Sequence, residues 1–139
     1  MRCSTVYIPA AALILGLTGA ASAQPSELYV CHPGGEPRAL ELGLTVCDAA
    51  PTDTLLTRME PDNLQLREGV LVTEVAENSL AGTAGFRAGD VIYRVGGVDV
   101  GDNVDTAARV SLIGSESDTI INFLRRGRPY RIKLRQPSR

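Results

Sequence analysis

The sequence predicts a small α+β domain built of short strands with two short helices, and three observations point there. Apolar, branched stretches such as GVLVTEV and DVIYRV are short and stop at glycine-containing turns, as strands do. Two windows rich in small residues, ENSLAGTAG and DNVDTAARVSL, carry capping residues at their starts. Near the end, DTIINFL and PYRIKLR flank a Arg125-Arg126-Gly127-Arg128 turn with the signature of a hairpin. The 139 residues suit one such domain, and the 44% apolar fraction excludes wholesale disorder. A net charge of −2 gives no basis for a nucleic-acid partner. Tryptophan is absent and aromatics are scarce, so the core must be mostly Val, Leu, Ile and Ala.

The chain opens with MRCSTVYIPAAALILGLTGAASAQ: one basic residue, an apolar run from about Val6 to Leu17, then small residues ending Ala21-Ser22-Ala23. That order is expected of a secretory signal peptide over 1–23, cleaved before Gln24, which delivers a periplasmic or secreted product. The apolar run falls short of the roughly 20 residues that span a bilayer, so membrane contact is expected only through an uncleaved signal. The leading segment 24–39 follows, with one candidate strand over Leu28 to Cys31 and a Pro-Gly-Gly-Glu-Pro turn stretch. Cys31 and Cys47 remain after cleavage, and two cysteines in an oxidising compartment most simply form one disulfide. The alternatives are a metal site using Cys31, His32 and Cys47, which lacks a fourth ligand, or a redox pair, for which C-x-x-C spacing is missing.

The folded unit is expected over 40–135, with a tail over 136–139. Leu42 to Val46 alternates as a strand, and PTDTLLTRM after it has the makings of a helical turn or two. Gly69 to Val75 is a strand, and the short helix after it is capped near Asn78 or Ser79 and ended by Gly85. In FRAGDVIYRVGGV, Gly89 and Asp90 set the turn into a strand, with Asp90 accepting turn N–H groups rather than holding a metal. No helix begins directly after these glycines to supply aligned donors, so they do not read as a phosphate loop. The helix over Asn103 to Leu112 is the strongest in the chain, and the terminal hairpin closes the domain. The arginines around its tip read as a solvated surface.

Nothing in the sequence supports catalysis or a cofactor. His32 is the single histidine and lies in the leading segment, no G-x-S-x-G or G-D-S-G-G stretch exists, and Lys133 is the only lysine available to a serine–lysine pair.

GVLVTEVAENSLAGTAGFRAGDVIYRVGGVDV, then a helix, then the FLRRGRPYRIKL hairpin, resembles a PDZ domain of the type appended to bacterial HtrA proteases, standing here without a protease domain. The A-G-F-R-A-G-D-V-I block carries the likeness, which spans about Leu40 to Arg135. The resemblance implies a PDZ-like, small, partly open β-barrel or sandwich of five to six short strands with two helices, acting as a monomeric peptide- or protein-binding module. It also implies partners such as a protein C-terminus, or an envelope protease or secretion component. Such domains take the end of a partner chain as an extra strand. The family's carboxylate loop is matched by Glu41-Leu42-Gly43-Leu44, whose backbone N–H groups would converge on the anion. The strand from Leu44 to Cys47 would offer its edge to the peptide, Leu42, Leu44 and Val46 would line the side-chain pocket, and Ala107, Val110 and Ser111 on the helix would form the opposite wall. Two features depart from the pattern. Glu41 puts a negative charge beside the loop, worth roughly 3 kcal/mol of repulsion at about 5 Å before screening unless Arg38 folds over it. A Cys31–Cys47 bridge would tether the leading segment beside the groove, where it could fill the slot or merely close the sheet edge. The alternative function is therefore a non-catalytic docking scaffold of a secretion or envelope complex with a blocked groove.

Overall fold

The computed structural model describes residues 27–100 and 118–135. The expected signal peptide, the helix over 103–112 with Ala107, Val110 and Ser111, and the tail lie outside the described residues.

Within them the chain forms β1 (Tyr29–Cys31), β2 (Arg38–Ala39), β3 (Leu44–Pro51), α1 (Asp53–Asp62), β4 (Val70–Val75), α2 (Leu80–Ala84), β5 (Val91–Val95), β6 (Val98–Asp99), β7 (Thr119–Arg125) and β8 (Arg128–Leu134). All strand pairs are antiparallel, in the order β1-β3-β4-β5-β7-β8, with β2 added to β3 and β6 to β5. The sheet is open rather than a closed barrel. The eight strands exceed the five to six expected because the two-residue β2 and β6 are too short to leave an alternating pattern in the sequence.

Side chains alternate between two cores. On one face lie Leu44, Val46, Val70, Val72, Ile92, Ile121 and Phe123, joined by Ala81 of α2 and by Leu42 and Val100. On the other lie Cys47, Leu71, Val91, Tyr93 and Leu124, covered by Leu28, Tyr29, Leu55 of α1 and Leu64. A sheet buried on both faces explains why its central strands read as near-continuous apolar runs.

The stretch expected to make a helical turn or two is a full helix. Thr52 caps α1 by accepting the Leu55 N–H at 3.3 Å, and the same hydroxyl donates to the Glu27 carbonyl at 2.6 Å. One residue thus starts the helix and fastens the leading segment to it, at about 1 kcal/mol for such a cap. Asn63, in the left-handed region with φ 54°, ends α1. The expected α2 is present, with Ser79 as its cap and Gly85 at φ 107° closing it.

Candidate peptide slot

The loop matched to the carboxylate-binding pattern sits at the start of β3, where two neighbours fix its shape. The Leu42 carbonyl accepts the Ala81 N–H of α2 at 3.0 Å, and the Gly43 carbonyl accepts the Ala76 N–H at 2.8 Å. Gly43 has φ 103°, and a Cβ on it would lie 2.2 Å from the Ser79 Cβ and 2.3 Å from its Oγ. Only glycine fits there, for backbone and space together. Ser79 cannot retreat, because its hydroxyl donates to the Ala76 carbonyl at 2.6 Å and accepts the Gly82 N–H at 3.0 Å.

The outer edge of β3, expected to be offered to a peptide, is covered by the leading segment. β1 pairs with its far end, Tyr29 opposite Pro51 through Cys31 opposite Ala49, and the His32 N–H continues to the Asp48 carbonyl at 2.8 Å. Pro33 and Pro37, which have no N–H to give a ladder, bracket the bulge in which the chain leaves the sheet. It rejoins as β2, with Arg38 opposite Val46 and Ala39 opposite Thr45. The Leu40 N–H then donates to the Leu44 carbonyl at 2.7 Å, and the Leu40 carbonyl accepts the Gly43 N–H at 3.0 Å. Cys31 and Cys47 are disulfide-bonded, closing a loop of 16 residues that contributes about 3 kcal/mol by chain entropy. In this form both thiols are taken up by the bridge.

Of the expected site residues, Glu41 is exposed at the turn, while Leu42, Leu44 and Val46 are buried in the first core. Leu40, partly buried, packs against that same core. Among the described residues Arg38 and Glu41 form no ion pair, so the charge beside the loop is not offset from that side.

Asp90 behaves as the sequence suggests, accepting the Arg87 N–H at 2.9 Å. Sequence reasoning missed its main partner. Arg125, read as one of the solvated hairpin arginines, donates to both Asp90 oxygens, at 2.8 and 2.7 Å, and to the Gly85 carbonyl at 2.9 Å. Its hydrogen bond with Asp90 holds the guanidinium pKa above the ordinary value. No local signal marks this pairing, because the register of β7 on β5 is what brings the two residues together. The A-G-F-R-A-G-D block is frame, locked by Arg125 from the neighbouring strand β7.

Residues 71–122 match the family model of the PDZ domain. The fold is PDZ-like. It resembles the crystal structure of the HtrA3 PDZ domain bound to a phage-derived ligand (FGRWV), with a TM-score of 0.52 at 19% identity, covering 75% of this chain and 90% of that one. In sequence the chain is 27% identical over 73 residues to a probable periplasmic serine protease do/HhoA-like of Haemophilus influenzae. The match covers 52% of this chain and 16% of that protein's length.

Proposed function

We propose that this PDZ-like domain is the peptide- and protein-binding module of an exported chain, an adaptor without catalysis of its own that receives the C-terminus of a partner as a strand beside β3. One observation carries the reading: the slot already holds an antiparallel strand in the required sense. Leu40 donates its N–H to Leu44, receives the Gly43 N–H on its carbonyl, and lays its side chain on the core formed by Leu42, Leu44 and Val46. These are the hydrogen bonds and the apolar contact a terminal residue needs. The similar HtrA3 domain is bound to a ligand, FGRWV, that also ends in an apolar residue. Export to the periplasm is supported by the leader-like first residues and by the description of the Haemophilus relative as periplasmic. Ala107, Val110 and Ser111 are proposed as the opposite wall.

The test is a nuclear magnetic resonance titration with a short peptide ending in leucine, as free acid and as amide. The free acid should shift the Gly43 and Leu44 amides, and the amide should shift them much less. Equal effects from both would overturn carboxylate recognition.

A second reading has its own observation. β1 and β2 cover the β3 edge along most of its length, as a docking scaffold with a closed groove would require. A partner held through another face would not be displaced by the free-acid peptide.

A further inference from the structure

We infer that Arg38-Ala39-Leu40 is an internal ligand that keeps the slot closed. The partner is accordingly a chain end of the same chemistry, with a small penultimate residue and a terminal leucine-sized side chain, which enters by displacing it. This rests on the strand-addition reading above.

Three features of the segment support displacement. It is pinned upstream by the Cys31–Cys47 bridge and by the His32 N–H on Asp48, while the bulge between Pro33 and Pro37 supplies slack downstream of those anchors. Its own hold is slight. β2 is two residues long, both exposed, and Arg38 makes no ion pair among the described residues. Finally, the segment is an incomplete ligand. Leu40 continues into Glu41 and presents a single carbonyl oxygen, which takes the Gly43 N–H. The amide of Leu42, in a buried residue, donates to no acceptor among the described residues. A terminal carboxylate brings a second oxygen and a full charge, and so offers both neighbouring amides what the internal segment offers one.

The penultimate position is also specified. The Leu40–Leu44 hydrogen bond makes Ala39–Thr45 a non-hydrogen-bonded pair, whose Cα atoms approach most closely, favouring a small side chain opposite Thr45. Tethering gives the segment a high effective concentration, so an outside peptide meets a slot that is vacant only part of the time and its apparent affinity falls by that fraction.

The probe is a short free-acid peptide ending Pro-Arg-Ala-Leu, the chain's own 37–40 sequence, with its amide as control. Binding is measured to the wild-type chain, to two opened variants, Leu40→Gly and Leu40→Pro, and to a variant in which Ala39→Cys and Thr45→Cys bridge β2 to β3. The opened variants should bind the free acid at least about tenfold more tightly than wild type, and the bridged variant should not bind it. In the unaltered wild type, where folding is not in question, adding the free acid should speed hydrogen exchange at the Leu40 amide. Equal affinity of wild type and opened variants, with Leu40 exchange unchanged, overturns the internal ligand and leaves strand addition standing. Failure of folded, opened variants to bind overturns strand addition itself.

Discussion

The Asp90–Arg125 pair should behave as one energetic unit, and its two ends should fail differently. Asp90 is 1% exposed, so the carboxylate is out of water, whereas the Arg125 side chain keeps 25% of its surface exposed. Arg125→Met leaves a buried anion with the Arg87 N–H as its remaining donor, and breaking a buried pair in this way costs about 3–5 kcal/mol. Asp90→Asn keeps the shape and part of the acceptor capacity, and the stranded guanidinium can lean toward solvent while still donating to Gly85. About 2–3 kcal/mol is expected there, the worth of charge-assisted hydrogen bonds replaced by weaker ones. The double variant should fall well short of the sum of the singles, by at least about 1.5 kcal/mol, because the second substitution removes a group already left unpaired. Urea unfolding of the four proteins measures the cycle, with unchanged slopes confirming that the midpoint shifts report stability. A coupling below about 0.5 kcal/mol, or a loss under about 1 kcal/mol for Arg125→Met, would refute the argument that a cross-sheet ion pair holds this block in place.

Two further outcomes follow from single side chains. Gly43→Ala combines a positive φ, worth roughly 1–2 kcal/mol for any residue with a Cβ, with an overlap on Ser79 worth roughly 1–3 kcal/mol more. Adding Ser79→Gly should recover at least about 1 kcal/mol of this in urea unfolding; no recovery would place the damage elsewhere. Tyr29 donates its hydroxyl to the Gln65 carbonyl at 3.1 Å and accepts the Arg67 N–H at 3.2 Å, and burial pushes its phenol above the ordinary value near 10, partly countered by Arg67. A raised folded-state pKa means the stabilisation is present below about pH 10 and is lost as pH rises through the higher, folded value. The urea midpoint should therefore fall above about pH 10 more steeply in wild type than in Tyr29→Phe, and parallel curves would remove Tyr29 as the cause.

Much of the fold was legible because it is written locally. Val70 to Val75 and Val91 to Val95 announce themselves as buried strands, Ser79 and Gly85 bound a helix, and Arg126-Gly127 turns a hairpin, each through the backbone preferences of a few adjacent residues. The Cys31–Cys47 pairing was legible for another reason, since Cys31 and Cys47 are the two cysteines after the first 23 residues.

Other features depend on register and have no local cause. β2 is two residues with no alternation to read, and it exists because Leu40–Gly43 turns the chain back beside β3. α1 runs beyond the expected turn or two because its buried Leu55 packs on the second face of the sheet. By itself the sequence determined most of the strands and α2 among the described residues, and the family they resemble. Only the tertiary structure decided that Arg125 belongs to Asp90 and that Arg38-Ala39-Leu40 lies along the start of β3. Local preference acts over a few residues, whereas the identity of a strand's neighbour is set by how the whole chain buries its apolar surface.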